Sequence, residues 1–210
     1  MWVVKLGGSL QYSDQLPLWL SEMAEHGGGK IVIVPGGGAF ADQVRRAQQH
    51  WQFGDAAAHR MALLAMEQYG LMLHDMDPRL CITRSGDEIV TTLQNGKAAI
   101  WLPAAMMLQC KKIPVGWDIS ADSIAAWLAI SLQAQRLLLV KSFKLAPGLH
   151  PIPGLIRRGL LDLGFAEMVA GHGFEVNWLY RDQYSSLKAL FLQENRFTVR
   201  LVQEDHLASA

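Results

Sequence analysis

The chain opens with Trp2-Val3-Val4-Lys5-Leu6-Gly7-Gly8-Ser9, a short apolar strand that runs through a lysine into a glycine turn. A glycine pair after a buried strand lets the backbone come within hydrogen-bonding distance of a ligand, because no Cβ intervenes and positive φ costs little. Free N–H groups in such a turn form a concavity that binds anions, and the ammonium of Lys5 would meet a phosphate there as a point charge. This stretch therefore predicts a phosphate site, although a tight turn with a solvated Lys5 explains it equally well.

The length and composition of the chain indicate a large core. A chain of 210 residues suits one α/β domain, or two lobes that share a sheet. Charged residues make up 18% of it and hydrophobic residues 50%, whereas about a quarter of an average globular protein is charged. This balance indicates extensive burial that includes a subunit interface, so we expect a homo-oligomer.

The charge balance argues against large polyanions as partners. With 19 basic and 19 acidic residues and no long charge runs, the chain has no electrostatic footprint for nucleic acid or an anionic membrane. We therefore expect a small-molecule partner. Cys81 and Cys110 have no metal-ligand spacing and cannot form a disulfide framework, so they are predicted to be buried thiols in a reducing compartment. With no recognisable signal peptide or membrane span, a cytoplasmic location is expected.

A second glycine turn follows the next predicted strand. Helical spacing of apolar residues from Ser13 to His26 precedes Lys30–Val34, a continuous apolar strand of the kind found in parallel sheets covered on both faces. This strand leads into Pro35-Gly36-Gly37-Gly38-Ala39-Phe40, and a helix is predicted to begin between Ala39 and Asp42. The N-terminus of that helix would point free N–H groups at an anion.

The second turn also resembles a dinucleotide fingerprint, because Gly36, Gly38 and Ala41 match its final-alanine form. Such a site needs an acidic residue at the end of the next strand to hold the ribose. Asp55 is near the right distance but opens a helical run instead, so a nicotinamide cofactor is disfavoured. His59 shares a helix face with Asp55, where a histidine is more often structural than a ligand contact.

The rest of the chain alternates strands and helices. The predicted elements are, in order, the helix Ala56–Gly70, the strand Leu80–Thr83, a helix opened by Asp87, the strands Ala98–Leu102 and Arg136–Val140, the helix Leu163–Ala170, the strand Glu175–Leu179, the helix Ser185–Gln193 and the strand Phe197–Val202. The chain beyond Pro147, with Pro151 and Pro153, is predicted to be irregular. The alternation favours an α/β fold with a doubly wound, mostly parallel sheet and ligands at the carboxyl ends of the strands.

Two further residues are candidates for the same site. Ser120 is a good N-cap and Asp122 suits the first turn of the helix that follows, which explains both structurally. The functional alternative is that Asp118 or Asp122 faces the cleft of Lys5 and positions the lysines or a magnesium ion by charge. Lys141 ends a buried strand as Lys5 does, so the two lysines would converge on one phosphoryl group unless both are solvated strand ends.

Three motifs in this order and spacing resemble the amino acid kinase family, which includes acetylglutamate, uridylate, isopentenyl phosphate and aspartate kinases. They are Lys5-Leu6-Gly7-Gly8-Ser9, Pro35-Gly36-Gly37-Gly38-Ala39-Phe40, and Ser120-Ala121-Asp122 followed by a helix. The resemblance covers roughly the first 140 residues. It implies a three-layer α/β/α sandwich with an open, mostly parallel central sheet, in one domain of residues 1–210. Within it, residues 1–112 would bind the acceptor and phosphate, and residues 113–210 the nucleotide.

The resemblance also implies which residues act. ATP would be the phosphoryl donor and Mg²⁺ is expected, with no metal ligand assigned. The implied roles are catalysis by Lys5, Asp122 and Lys141, binding of the ATP phosphates by Gly7, Gly8, Ser9, Ser120 and Lys141, and acceptor binding by Gly36, Gly37, Gly38 and His59. A loose phosphoryl-transfer transition state needs positioning and positive charge more than a strong base, which agrees with this set.

A narrower resemblance connects the chain with the family branch that phosphorylates [5-(aminomethyl)furan-3-yl]methyl phosphate in methanofuran biosynthesis. It rests on Gly38-Ala39-Phe40-Ala41-Asp42, His59-Arg60-Met61-Ala62, Ala99-Ile100-Trp101-Leu102-Pro103 and Ser120-Ala121-Asp122-Ser123-Ile124. It implies a small phosphate monoester as acceptor. Another small carboxylate or phosphate acceptor stays open as an alternative.

The nucleotide half departs from the family pattern. Val140-Lys141-Ser142-Phe143-Lys144 stands where many relatives end the strand with an aspartate and continue Asp-Gly, and Asn195-Arg196-Phe197-Thr198 replaces the usual Gly-Thr. The base of the nucleotide is therefore expected to bind differently or poorly. A non-catalytic nucleotide or metabolite sensor with the same fold is the second hypothesis.

Overall fold

The computed structural model describes residues 1–110, 113–191 and 199–203. The strands are β1 (Trp2–Leu6), β2 (Ile31–Pro35), β3 (Cys81–Thr83), β4 (Ala99–Trp101), β5 (Arg136–Lys141), β6 (Gly148–Pro151), β7 (Glu175–Tyr180) and β8 (Val199–Val202). The helices are α1 (Leu16–His26), α2 (Gly38–Trp51), α3 (Asp55–Met76), α4 (Gly86–Gln94), α5 (Ala104–Met107), α6 (Ala121–Ser131), α7 (Ile152–Arg157), α8 (Phe165–Val169) and α9 (Ser186–Phe191). A 3₁₀ turn, Gly8–Leu10, follows β1.

These strands form one sheet in the order β3-β4-β2-β1-β5-β7-β8-β6. The β7 and β8 pair is antiparallel and the other pairs are parallel. In the centre, Lys5 of β1 lies opposite Val34 of β2 and Leu139 of β5. The carboxyl ends of these three strands therefore meet at one edge of the sheet, which brings the residues after each of them together.

The core consists of two apolar clusters, one on each face of the sheet. Val3 belongs to one cluster and its neighbour Val4 to the other, because successive side chains of a strand point to opposite faces. Helices α6, α7 and α8 cover the first face, and α1 and α9 cover the second. The predicted three-layer α/β/α sandwich with a mostly parallel sheet is thus confirmed.

One predicted boundary is wrong because a glycine was taken for a helix end. Helix α3 continues past Gly70 to Met76. A Cβ on Gly70 would lie 2.6 Å from Cδ2 of Leu102 and 3.3 Å from Cγ of Pro35. Gly70 therefore makes room for the helix against the sheet and does not end it.

The segment after Pro147 is not irregular, which corrects a second prediction. It contains the edge strand β6, paired in parallel with β8, and then the helix α7. Pro151 is the last residue of the edge strand and Pro153 lies in the first turn of the helix. Proline is tolerated at both places because no backbone N–H is needed there, so the two prolines gave a misleading signal.

Several predictions concern residues at the borders of the description. The last residues of the helix Ser185–Gln193, the start of the strand Phe197–Val202 and the stretch Asn195–Thr198 lie outside the described residues. The same is true of residues 111 and 112, so the division into lobes after residue 112 stays a prediction. Within the described part, no helix combines the length and apolar character that crossing a membrane requires.

Candidate active site

The two glycine turns pack backbone against backbone at the carboxyl edge of the sheet. The N–H of Gly36 donates to the Leu6 carbonyl at 2.9 Å. A Cβ on Gly8 would lie 2.7 Å from Cα of Gly38, and one on Gly36 would lie 2.9 Å from Cα of Gly8. Such distances leave no space for a side chain, so both positions require glycine. Gly38 also has a φ of 55°, which glycine adopts at little cost.

The first turn needs its glycines for close approach and not for positive φ. Gly7 has a φ of −58°. Its N–H donates to the Val140 carbonyl at 3.0 Å, so this amide extends the sheet pairing and does not open into the cleft. The N–H groups of Gly8 and Ser9 have no partner among the described residues. Of the residues predicted to hold ATP phosphates through their amides, these two are free to do so.

Gln11 connects the two glycine turns through two hydrogen bonds. Its side-chain Oε1 accepts a hydrogen bond from the N–H of Ala39 at 2.8 Å, and its own N–H donates to the Gly8 carbonyl at 3.1 Å. The side chain thus satisfies one of the amides at the start of α2, which the sequence predicted to be open to an anion. Nothing in the local sequence marked Gln11, because its partner lies 28 residues away.

Asp122 joins the two strand-end lysines. Lys5 Nζ lies 2.9 Å from Oδ1 in an ion pair, and Lys141 Nζ donates to Oδ2 at 2.5 Å. All three side chains are largely buried. Asp122 therefore positions the two lysines by charge, as the functional alternative predicted, and it also lies in the first turn of α6. Asp118 does not share the arrangement, since it is exposed and uses its carbonyl to accept from Gly164.

Burial and charge act in opposite directions at this centre. Burial raises the pKa of the Asp122 carboxyl, but the charges of Lys5 and Lys141 outweigh it and hold that pKa below its ordinary value. Burial, together with the charge of Lys5, lowers the pKa of Lys141 to about 8, against the opposing charges of Asp122 and Asp162. The carboxylate is thus firmly ionised, while one of the two ammonium groups titrates close to neutral pH.

Ser120 caps α6 as predicted, but a second residue holds it. Its N–H and Oγ–H donate to Asp162 Oδ2 at 2.9 and 2.6 Å. The backbone N–H of Ser123 donates to the same oxygen at 3.1 Å, and the Ser123 hydroxyl donates to Oδ1. The polar groups predicted to bind an ATP phosphate at Ser120 are therefore engaged inside the protein. Asp162 lies in the segment that the sequence marked as irregular, and no local signal identified it.

A cleft of about 400 Å³ opens above these groups. Its wall includes Lys5, both glycine turns and the first turn of α6. Toward α2, the wall is formed by residues that were not predicted to belong to the site: Tyr12, Asp42, Arg45, Met66 and Trp117. The structure thus brings together Lys5, Gly8, Ser9, Ser120 and Gly36 to Gly38, while Lys141 reaches the group through Asp122.

The residues on the α2 side of the wall contact one another and the rest of α2. The guanidinium of Arg45 lies 4.4 Å from the centre of the Trp117 ring and 3.1 Å from Oδ1 of Asp42. The indole N–H of Trp117 donates to Gln48 Oε1 at 2.6 Å. This end of the cleft therefore presents a flat ring, one positive group and one negative group.

His59 does not lie on this wall. It is half-buried, and burial lowers the pKa of its imidazole, while a hydrogen bond that the imidazole donates to the Gly116 backbone acts in the opposite direction. A neutral imidazole is a weaker partner for a phosphate than the guanidinium of Arg45. The structure gives the predicted acceptor role of His59 no geometric support.

No group of three or more His, Cys, Asp and Glu side chains that could hold a metal ion occurs in the part of the chain that the structure describes. Both oxygens of Asp122 already face lysines. The central carboxylate is thus a partner for ammonium groups.

Comparison with known proteins agrees with the fold. A sequence profile of the amino acid kinase family matches residues 1–144. The [5-(aminomethyl)furan-3-yl]methyl phosphate kinase of Methanocaldococcus jannaschii is 29% identical over 141 residues, which are 66% of this chain and 64% of that kinase. The match thus spans just under two thirds of the relative's length.

Solved structures with this fold include two nucleotide kinases. Uridylate kinase from Archaeoglobus fulgidus has a TM-score of 0.70 at 11% identity, covering 96% of this chain and 99% of its own. UMP kinase from Bacillus anthracis has a TM-score of 0.71 at 13% identity, covering 97% and 96%. An isopentenyl phosphate kinase has a TM-score of 0.64 at 16% identity, covering 95% and 99%. The chain therefore belongs to the amino acid kinase family.

Proposed function

We propose that the protein is an ATP-dependent kinase that transfers the γ-phosphoryl group to a small phosphate monoester. The observation that carries the proposal is the bridge of Asp122 between Lys5 and Lys141, beside two glycine turns in backbone contact. Phosphoryl transfer through a loose transition state depends on positioned positive charge. Two buried ammonium groups and the free amides of Gly8 and Ser9 supply that charge.

The site suits an acceptor that is already ionised. The pKa of Asp122 is held below its ordinary value by the lysines, so its carboxylate is a poor proton acceptor. An alcohol or amine acceptor would need a general base, whereas a phosphate monoester carries a charge of about −1.5 to −2 at neutral pH. Asp122 accordingly spaces the lysines and takes no proton. A small carboxylate acceptor meets the same condition and is the nearest alternative.

The donor would bind between the lysines and the first turn. The N–H groups of Gly8 and Ser9 would bind the phosphates of ATP. Lys141, whose ammonium donates to Asp122 and to the Leu160 carbonyl, would add its positive charge from behind Asp122. Magnesium, when bound to the nucleotide, neutralises phosphate charge. Since the described residues offer no carboxylate cluster, the phosphates and water would be its main ligands.

The best candidate for the acceptor is [5-(aminomethyl)furan-3-yl]methyl phosphate, the compound that appears in the name of the relative that is 29% identical. That molecule combines a flat ring, an amine and a phosphate. The α2 side of the cleft offers a group of matching chemistry for each of them: the ring of Trp117, the carboxylate of Asp42 and the guanidinium of Arg45. These three groups contact one another in the structure, so the acceptor would have to exchange those contacts for its own. In this arrangement Arg45 replaces His59 as the contact to the acceptor phosphate.

A nucleotide or metabolite sensor without catalysis is the second candidate. The observation in its favour is that the amide of Gly7 and the polar groups of Ser120 are engaged by Val140 and Asp162. Fewer groups are then left to orient the triphosphate for transfer. Tight binding of ATP without transfer to any acceptor would establish this function.

We also propose that the chain forms a homo-oligomer through α3. This helix exposes Met61, Leu64 and Leu71, whose side chains are 40 to 47% accessible. Apolar residues of this size on one long helix are typical of a surface that a partner covers.

A mass-spectrometric screen tests the proposed function. The protein is incubated with ATP and a panel of small phosphate monoesters, carboxylates and the corresponding free alcohols. We expect aminomethylfuranmethyl phosphate to gain one phosphoryl unit and its unphosphorylated alcohol to gain none. Preferred phosphorylation of the free alcohols would overturn the acceptor assignment, and no product at all would support the sensor.

A further inference from the structure

Asp162 accepts more hydrogen bonds than a helix cap needs. Its two carboxylate oxygens accept from the N–H and hydroxyl groups of both Ser120 and Ser123 at the start of α6. By contrast, both acceptors at the start of α4 belong to residues of the helix start itself: the Ser85 hydroxyl accepts from the N–H of Glu88 at 3.2 Å, and Glu88 Oε2 accepts from the N–H of Arg84 at 2.7 Å. Since a serine suffices for capping, a second, partly buried acceptor at α6 calls for another explanation.

The same short segment also holds Lys141. The ammonium of Lys141 donates to the carbonyl of Leu160 at 2.9 Å, and Leu161, the residue between Leu160 and Asp162, is buried. One end of this segment is therefore attached to the lysine that ends β5. The other end is attached to the helix turn that carries Asp122. Any displacement of the segment would move both partners of the central ion pair.

The groups that face Lys141 come from every element packed around it. Lys5 comes from β1, Asp122 from α6 and the ring of Trp178 from β7, 5.4 Å from the ammonium. Asp162 adds a negative charge from the loop after α7. Without Asp162, two ammonium groups would share one carboxylate in a buried site, an arrangement that disfavours the charged form of one of them.

We propose that Asp162 is a positioning residue of the phosphoryl-transfer site, which fixes the first turn of α6 and keeps Lys141 charged and directed at Asp122. The positioning of Lys141 and Asp122 by Asp162 is argued from the contacts of these residues. Its consequence for phosphoryl transfer rests on the proposed kinase function. The residue lies beyond the part of the chain that the family profile matches. It acts through Lys141 and Asp122 and does not touch the substrate.

The test titrates Lys141 directly in the unliganded protein, by NMR of lysine side chains labelled at the ε position. The signal is assigned with the variant Lys141→Arg. Replacing Asp162 by Asn removes the charge and keeps the shape, so we expect the pKa of Lys141 to fall by roughly one unit. If the protein is a kinase, kcat/KM for ATP at pH 7.5 then falls about threefold, since the charged fraction of a group with a pKa near 8 drops by that factor.

The control is Ser123→Ala, which removes one hydrogen bond to Asp162 but leaves its charge. Both variants should melt at a lower temperature, yet only Asp162→Asn should shift the titration. An unchanged Lys141 titration in Asp162→Asn would reduce Asp162 to a helix cap and overturn the proposal. If that variant does not fold, Asp162→Glu, which keeps the charge, must titrate like the wild type, and a shift there overturns the proposal equally. A shifted titration without phosphoryl transfer to any acceptor would contradict the kinase function alone.

Discussion

At the scale of single residues, Asp122 stands between two ammonium groups that come from different strands. It is buried and ionised, and it fixes the spacing of the two positive charges. Charge that is already in place costs no reorganisation when a phosphoryl group moves between donor and acceptor. The convergence of Lys5 and Lys141 could be predicted, because each lies at the carboxyl end of a parallel strand of one sheet. The contacts of Gln11 with Ala39, of Arg45 with Trp117, and of Asp162 with the start of α6 could not, since each of them joins distant parts of the chain.

The lowered pKa of Lys141 predicts that kcat/KM for ATP decreases at alkaline pH. Its pKa of about 8 means that the ammonium is present below pH 8 and is lost above it, well before an ordinary lysine titrates. We therefore expect kcat/KM for ATP to be constant well below pH 8, to be about half its plateau value at pH 8, and to approach a tenfold fall per pH unit well above it. The alkaline fall, or limb, of the kcat profile should begin at higher pH, because bound phosphates favour the charged form of Lys141. Lys141→Arg should lose the limb, and a limb retained in that variant would assign it to another group.

Asp42 predicts how the acceptor is selected. If its carboxylate receives the acceptor amine, Asp42→Asn should raise KM for aminomethylfuranmethyl phosphate about tenfold, the cost of one charge-assisted hydrogen bond. An analogue with a methyl group in place of the aminomethyl group should show no such change. Steady-state kinetics with both acceptors checks this, and Asp87→Asn on α4 serves as the control. Equal effects of Asp42→Asn on the two acceptors would contradict the assignment.

At the scale of the elements, the contact between the two glycine turns sets the shape of the cleft. Continuous apolar strands followed by glycines predicted both turns and the parallel sheet, because these signals are local. The role of the glycines was only partly predictable. Gly7 is required by the close approach of the Val140 carbonyl of β5, and Gly8 by the approach of the second turn, neither of which the sequence of one turn can show. The edge strand β6 and α7 were missed because the positional tolerance of proline depends on the neighbouring strand.

Gly8→Ala tests that contact. The added Cβ would meet the backbone of Gly38 at 2.7 Å, so the turns must separate, and we expect a loss of about 1–3 kcal/mol in the free energy of unfolding. Gly86→Ala at the start of α4 is the matched control, because its Cβ meets nothing within 4 Å, and it should be neutral or stabilising by up to about 1 kcal/mol. Urea denaturation measures both. Equal stability of the two variants would show that the turns are not in contact.

At the scale of the whole molecule, the family profile matches residues 1–144 and the likeness in fold extends over 96% of the chain, while the relative's substrate does not follow from either. Fold and family were predictable because three short motifs keep their order. The substrate was not, since it depends on the α2 side of the cleft, where Arg45 and Trp117 come from distant parts of the chain.

The assembly is predicted by the exposed side of α3. Leu64→Glu should turn an oligomer into a monomer without lowering the melting temperature, since this side chain is 43% accessible in the isolated chain. Val90→Glu on α4, with 40% accessibility, is the control and should leave the mass unchanged. Size-exclusion chromatography with light scattering measures the molar mass of the wild type and of both variants. A wild-type protein that is monomeric at high concentration would refute the proposed interface.

The most direct measurement of the central claim is the turnover of Lys5→Met, with Lys97→Met at an exposed position as the control. If the Lys5 ammonium stabilises the transferred phosphoryl group, kcat should fall about 10²- to 10³-fold, while the acceptor dissociation constant stays within about threefold of the wild type. The control should keep full activity. A folded Lys5→Met protein with kcat near the wild-type value would contradict the assignment of this site as the place of phosphoryl transfer.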